Sequence, residues 1–209
     1  MTSQRRPTRI ILFVVLAIAI IALVVAAVIA IPILTHQSAG GSGQNVPTEI
    51  VSSASAKGAD ERTRTLEAVD SDGKPADLAA IAPGERITVK GTGFDAGIGI
   101  YLAFCAIPGS PDEKPGPCLG GIPKGATDGT VDKSALTSAW ITSDWAWRAF
   151  ATHSFERDGA FSVTLTVPEA TGDGLDCRVT RCAISTRADH TATKDRVQDM
   201  LLPVAFAKE

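Results

Sequence analysis

The chain has 209 residues, of which 21% are charged, and its formal net charge is −3 at pH 7. This mildly acidic balance argues against a nucleic-acid partner and against a surface that binds anionic lipid by charge. The length that remains after an apolar N-terminal segment suits one domain with its own core, and not two.

The N-terminus is dominated by an apolar run at residues 10–34, which contains no charged side chain. As a helix these 25 residues span roughly 37 Å, enough to cross a hydrocarbon core of about 30 Å. Residues 1–9 carry Arg5, Arg6 and Arg9 and no acid, so this basic tail is predicted to be cytoplasmic. A cleaved signal peptide has a shorter apolar region. We therefore interpret residues 10–34 as an uncleaved, single-pass signal anchor in the cell membrane, with the C-terminal domain extracytoplasmic.

Residues 35–62 are predicted to form a flexible linker. Ser, Gly and Ala dominate the segment, and no apolar period runs through it. A flexible coil of this length has an end-to-end distance of about 30 Å, so it would hold the following domain away from the membrane. Because all 23 acidic residues follow the anchor and three of the 20 basic residues precede it, the exported part has a net charge near −6.

Residues 63–209 show short strand patterns separated by turns. Apolar and polar residues alternate in several short runs, and Gly, Pro and Asp-Gly stand between them. The predicted strands lie at residues 63–69, 86–91, 98–107, 160–167, 179–187 and 202–207. Six or seven short strands without a convincing helical period indicate an all-β domain, either a sandwich or a barrel.

The four cysteines all lie in this domain, at Cys105, Cys118, Cys177 and Cys182. Outside the cell they are expected to form two disulfides, and four cysteines allow three pairings. A zinc site would need paired short spacings and redox catalysis would favour Cys-x-x-Cys. The sequence has neither pattern, so no metal site is predicted.

Two groups of motifs carry a family resemblance. The first is Pro83-Gly84-x-x-Ile87-x-Val89-x-Gly91-x-Gly93-Phe94, followed by residues 101–105 and a second Cys; the other is the 161–167 strand followed by Asp176-Cys177-x4-Cys182. Over about residues 63–207 the chain resembles the immunoglobulin-like sandwich of neocarzinostatin-type apoproteins, actinobacterial carriers of small aromatic molecules. The resemblance implies an immunoglobulin-like β-sandwich of about seven strands, the local disulfides Cys105–Cys118 and Cys177–Cys182, and a small aromatic ligand.

The chain is also similar to sandwich modules of actinobacterial surface proteins that are associated with haem uptake. Residues 91–101 and 185–199 carry this second resemblance. It implies an alternative function as an accessory haem-binding surface protein. By side-chain chemistry, Tyr101, His153 and His190 are the residues that could ligate its iron. Apart from this alternative, no cofactor is predicted.

A cluster of aromatic residues is the main candidate for binding. Trp140, Trp145 and Trp147 fall within eight residues, and in a strand Trp145 and Trp147 would share one face, with Arg148 on the other. An exposed aromatic face suits a flat ligand or a protein partner of the envelope. The candidate binding residues are therefore these four and Tyr101. The alternative is that the tryptophans fill the core between the sheets, and we expect this placement for at least one of them.

Catalysis has little support in the sequence. There is no Gly-x-Ser-x-Gly elbow and no His-Glu-x-x-His helix. We expect a non-enzymatic, membrane-anchored binding or structural module of the bacterial envelope. An extracytoplasmic enzyme with an unrecognised site is the second alternative, and it would show a polar cleft where His153 or His190 meets carboxylates.

Overall fold

The computed structural model describes residues 5–121, 130–132 and 134–207, and the chain divides into two compact units, residues 1–36 and 37–209. The first unit holds one helix, α1 (Arg5–Thr35). Within α1, Arg9–Thr35 is long and apolar enough to cross a membrane, a criterion of length and composition that an N-terminal signal sequence also meets. The chain thus carries an N-terminal apolar helix, as predicted from residues 10–34.

The second unit is a sandwich of two four-stranded antiparallel sheets with a two-stranded ribbon. Its strands are β1 (Ser53–Lys57), β2 (Thr63–Val69), β3 (Arg86–Thr92), β4 (Ile100–Ala106), β5 (Ser138–Ile141), β6 (Phe161–Thr166), β7 (Thr171–Gly172), β8 (Leu175–Asp176), β9 (Cys182–Ala188) and β10 (Met200–Val204). The first sheet has the order β1-β2-β3-β6, the second has the order β10-β9-β4-β5, and β7 pairs with β8. The predicted all-β sandwich behind an N-terminal apolar helix is confirmed.

The core lies between the two four-stranded sheets. From the first sheet, Val89 and Leu165 point into it, and from the second sheet Leu102, Phe104 and Ile184 do the same. Each of these five side chains is fully buried. Because burying one such side chain stabilises the fold by about 1.5–3 kcal/mol, the alternate residues of each strand hold the sheets together.

The alternation of apolar and polar residues in the sequence predicted most of the longer strands. The patterns at residues 63–69, 86–91, 98–107 and 160–167 correspond to β2, β3, β4 and β6. Those at residues 179–187 and 202–207 overlap β9 and β10, but their ends differ from the strand ends by one to three residues. Both implied disulfides, Cys105–Cys118 and Cys177–Cys182, are present. The segment 145–150, where a strand was considered for Trp145 and Trp147, consists of turns.

The prediction of a flexible linker over residues 35–62 is wrong for residues 37–62. These residues belong to the sandwich unit, and β1 pairs with β2 along its whole length. Ahead of β1, the Ala39 amide donates to Asp195 Oδ2 at 3.0 Å. The Gln44 side chain donates to Leu201 O at 2.9 Å and accepts from Leu201 N at 2.8 Å, which covers the edge of β10. Hydrogen bonds, and not an apolar period, hold this segment, so its composition gave no sign of order.

Candidate functional site

The candidate site lies on the outer face of the second sheet. In the register of this sheet Tyr101 stands opposite both Trp140 of β5 and Arg187 of β9. The neighbours of Tyr101 along β4, Ile100 and Leu102, belong to the core. Since successive side chains of a strand point to opposite faces, Trp140, Tyr101 and Arg187 form a row that faces away from the core.

A cleft of about 370 Å³ opens above this row. Tyr101, Ala103 and Trp140 form its floor, as the strand alternation requires. One wall follows β4 and contains Cys118 and Leu119. The opposite wall follows β5 and contains Phe150 and Thr152, and Arg187 also lines the cleft.

Both walls are fixed to the sheet beneath them. The Cys105–Cys118 disulfide ties the first wall to β4, and Leu119 N donates to Phe104 O at 2.8 Å. In the second wall, Thr152 Oγ1 donates to Trp140 O at 2.8 Å and accepts from Trp140 N at 3.0 Å. The cleft is therefore formed by residues whose positions the sheet determines, which favours a preorganised binding site.

A group of four rings surrounds the floor of the cleft. The Trp140 ring centroid lies 6.0 Å from that of Tyr101, 6.4 Å from that of Trp147 and 5.2 Å from that of His190. The Trp147 and His190 rings meet edge to face at 4.7 Å. Trp140 Nε1 donates to Oδ2 of the fully buried Asp189 at 2.8 Å. These contacts hold the Trp140 ring in one orientation.

Tyr101 connects the rings with the charged part of the site. Its hydroxyl lies 2.9 Å from His190 Nδ1, and the guanidinium carbon of Arg187 lies 5.9 Å from its ring centroid. Burial, reinforced by the negative charge of Asp189, raises the pKa of the Tyr101 phenol. Tyr101 therefore remains protonated at neutral pH and presents a neutral aromatic surface to the cleft.

The charged groups beside the floor are mostly cationic. Burial lowers the pKa of Arg187, and burial together with repulsion from Arg187 lowers the pKa of Lys114. Asp199 is bound to Arg196, whose Nη1 donates to Asp199 Oδ2 at 2.7 Å. Burial raises the pKa of Asp199 to about 7, against the attraction of Arg196. A partly protonated Asp199 compensates the neighbouring positive charges only in part.

The structure separates the predicted binding residues into two groups. Tyr101 and Trp140 line the cleft, and Trp147 packs against Trp140 outside its lining. Trp145 is 61% exposed, and Arg148 is exposed. The expectation that Trp145 and Trp147 share a strand face is wrong, because Asp144 Oδ1 accepts from Ala146 N and closes a turn there. In the described part of the chain, no tryptophan belongs to the core between the sheets.

Two further residues line the cleft. Phe150 follows the tryptophans in the aromatic cluster but was not among the candidate binding residues, and sequence reasoning missed Arg187. Phe150 is 48% exposed although it is a large apolar side chain. Arg187 lies on the face of β9 that it shares with Ala183 and Ser185, opposite Cys105 and Ala103 of β4. That alternation was visible in the sequence, but the pairing of β9 with β4 was not.

The residues considered for metal or haem binding are partly brought together. Among the residues that the structure describes, no group of three or more His, Cys, Asp and Glu could hold a metal ion. Tyr101 and His190 are hydrogen-bonded to each other. His153 instead approaches Thr152, with 3.1 Å between Nδ1 and Oγ1.

A second, larger cavity of about 620 Å³ lies beside the Cys177–Cys182 disulfide. Ile50, Val179 and Arg181 contribute to its lining, and among the described residues its only aromatic ring is that of Phe206. Val179 is 84% exposed at its rim. The smaller cleft is the better candidate site because three aromatic rings, those of Tyr101, Trp140 and Phe150, line it, whereas the described lining of the larger cavity has one.

Comparison with known proteins gives limited similarity. No family model matches the chain. The chain is 31% identical over 130 residues to "Thiamine biosynthesis protein X" of the actinobacterium Corynebacterium glutamicum, an alignment that covers 62% of this chain. The chain spans about 60% of the length of that curated relative. Among solved structures it is similar to macromomycin, with a TM-score of 0.36 and 17% identity over 68% of this chain and 99% of that one.

Proposed function

We propose that this protein is a non-enzymatic binding module of the bacterial envelope, anchored in the membrane by α1, whose cleft holds a small, flat aromatic molecule. The observation that carries the proposal is the aromatic floor of Tyr101 and Trp140 on the outer face of a sandwich whose core is elsewhere. Rings in that position add little to the core. Beneath a stacked ligand, however, each ring would add about 0.5–1.5 kcal/mol to the binding free energy beyond the burial of its area.

The exposure of Phe150 supports the same proposal. This side chain is 48% exposed at the edge of the cleft, and leaving apolar area in water costs about 25 cal/mol per Å². A ligand lying on Tyr101 and Trp140 would cover the exposed ring. Partly exposed apolar rings that converge on a preformed cleft are typical of binding sites.

The proposed topology places the sandwich outside the cytoplasm. The arginines precede the apolar helix, and two disulfides form stably only in an oxidising compartment. Alkaline phosphatase fused to the C-terminus requires export for activity, so we expect an active fusion. An inactive fusion that is present at full length would contradict this orientation.

The relative suggests a first natural ligand class. The name of that relative refers to thiamine biosynthesis, and thiamine consists of two linked heteroaromatic rings. We propose that this chain binds a heteroaromatic compound of that general kind. Thiamine carries a positive charge on its thiazolium ring, which the cationic groups beside the floor disfavour. A thiamine derivative that carries a phosphate ester is therefore the first metabolite to titrate, and thiamine is the second.

Isothermal titration tests the cleft directly. The full chain in detergent micelles is titrated with 2-naphthamide, a neutral two-ring probe, and the heat from empty micelles is subtracted. We expect saturable binding that Trp140→Ala weakens at least about 10-fold, since both floor stacking and the shape of the cleft are lost. Trp145→Ala removes an exposed tryptophan outside the cleft and should change affinity less than about twofold. Absence of binding, or equal effects of the two substitutions, would reject the proposal.

A second candidate function, haem binding, is favoured by one observation. The 2.9 Å contact between Tyr101 Oη and His190 Nδ1 would strengthen a tyrosinate ligand to iron, because the imidazole takes up the phenol proton. This candidate predicts a shift of the Soret band when hemin is added, and Tyr101→Phe should abolish the shift. An unshifted Soret band rejects it without affecting the first proposal.

A further inference from the structure

We propose that the cleft recognises an anionic oxygen group on its aromatic ligand and that Arg187 is the residue that binds this group. The inference rests on the proposed function, because it concerns the ligand of the same cleft. It narrows the ligand class to aromatic carboxylates and aromatic phosphate esters.

The hydrogen bonding of Arg187 is incomplete. Its Nη1 donates to Pro115 O at 3.0 Å, whereas its Nε is buried and has no hydrogen-bond partner among the residues described. A buried guanidinium donor without an acceptor is unusual in a folded protein, since the loss of water is then uncompensated. Arg187 lines the cleft, but its Nε is closed off from solvent, so a small rotation of the guanidinium would bring Nε to an acceptor on a ligand.

No carboxylate of the site pairs with Arg187 in the part of the chain that the structure describes. Asp199 is bound to Arg196, and Asp189 accepts from Trp140 Nε1 and from the amide and hydroxyl of Thr191. Lys114, on the neighbouring loop, adds a second positive charge that is repelled by Arg187. The site is therefore left with positive charge that an anionic ligand would neutralise.

The position of Arg187 relative to the rings defines the ligand further. Its guanidinium carbon lies 5.9 Å from the Tyr101 ring centroid, and Tyr101 is adjacent to Trp140 on the floor. If a ligand ring stacks on this floor, a substituent at the edge of that ring would lie beside the Arg187 guanidinium. The planar fork of arginine matches the two oxygens of a carboxylate or phosphate, which lysine does not. Arg187 would thus select ligands whose substituent is anionic and presents two oxygens to the guanidinium.

The test compares two probes that share one ring system. The full chain in detergent micelles is titrated at pH 7 with 2-naphthoate, which is anionic, and with 2-naphthamide, which is neutral. We expect 2-naphthoate to bind at least about 10-fold more tightly, in line with a charge-assisted hydrogen bond. Arg187→Met should remove this preference, because it should weaken 2-naphthoate binding about 10-fold more than 2-naphthamide binding. Arg187→Lys should restore only part of it.

A substitution in the larger cavity provides the matched control. Arg181→Met removes an arginine from the larger cavity and should leave both affinities unchanged. Equal affinity for the two probes, or an Arg187→Met protein that still prefers 2-naphthoate, would overturn the inference and leave the proposed function intact. A third result would also overturn the inference: Arg187→Met binds neither probe, and Arg187→Lys binds both probes with equal affinity. Arg187 would then shape the cleft without recognising the anionic group. If neither probe binds the unaltered protein, the proposed function fails as well.

Discussion

The two faces of the sheet β10-β9-β4-β5 differ in composition although they are built from the same strands. Toward the core, Ile100, Leu102 and Phe104 are fully buried and belong to one apolar cluster. Toward the outside, the row Trp140, Tyr101 and Arg187 is only partly buried and lines a cleft. The inner face accounts for stability by apolar burial. The outer face combines rings with an incompletely bonded cation, a composition that the proposed binding function would explain and that apolar burial does not.

The largest expected difference between the faces is in stability. Leu102→Ala leaves a cavity in the core and should lower the free energy of unfolding by about 2–5 kcal/mol. Tyr101→Ala removes a partly exposed ring from the adjacent position and should cost about 1 kcal/mol while abolishing probe binding. Urea unfolding of the full chain in micelles, followed by tryptophan fluorescence, measures both losses. Equal losses at the two positions would remove the distinction between the faces.

The two disulfides should differ in their effects on stability and on probe binding. Cys105 and Cys118 are 13 residues apart and hold a wall of the cleft, whereas Cys177 and Cys182 are five residues apart beside the other cavity. Loop-closure entropy predicts that replacing the first pair by Ala costs about 3 kcal/mol and replacing the second pair about 2 kcal/mol. Only the first replacement should weaken 2-naphthamide binding. A comparable loss of binding in the second double variant would show that the cavities are not independent.

The pH dependence of stability should report on the buried charges beside the outer face. Burial raises the pKa of Asp199 to about 7 from the ordinary value of 3.8. Between these values the folded protein holds a proton that the unfolded chain has lost, so stability from this group is present at low pH and is lost as pH rises toward and through 7.

We expect a decrease of about 2–3 kcal/mol in the free energy of unfolding between pH 5 and pH 8 from this group. Asp199→Asn does not titrate and should show a flatter profile than the unaltered protein. Parallel profiles of the two proteins would show that Asp199 is ionised throughout and that its pairing with Arg196 outweighs burial.

The smallest expected loss of stability comes from a substitution at the edge of the second sheet, outside both of its faces. The Gln44 amide makes two hydrogen bonds with Leu201 at the β10 edge. Gln44→Ala should lower the free energy of unfolding by about 1 kcal/mol, because both backbone groups lose their partner. Binding of 2-naphthamide should stay within twofold of its original value. A change in binding would indicate that the N-terminal segment contributes to the cleft.

The sequence was sufficient for the large strands because their alternation of apolar and polar residues is local. β2, β3, β4 and β6 were visible for this reason, and the disulfide pairing followed from a resemblance. β1 consists of small and polar residues, SASAK, and is held by pairing with β2. Such a strand has no apolar pattern of its own, so residues 37–62 were taken for a linker.

The candidate site was predictable only where its residues cluster along the chain. Trp140 stood out within a tryptophan-rich segment, and Tyr101 lies in the most apolar strand. Arg187 reaches Tyr101 through the pairing of β9 with β4, across 86 positions of the sequence. Trp145 was misplaced because the turn at Asp144 breaks the strand period. Long-range register, which a single sequence does not reveal, therefore determines which polar group meets the rings.

The most direct test is a crystal structure of the protein with 2-naphthoate bound. We expect the naphthalene ring to lie on Tyr101 and Trp140, with its carboxylate at the Arg187 guanidinium, on the outer face of the second sheet. A probe bound in the cavity beside Cys177–Cys182, with the Tyr101–Trp140 cleft empty, would contradict the assignment of the outer face to binding.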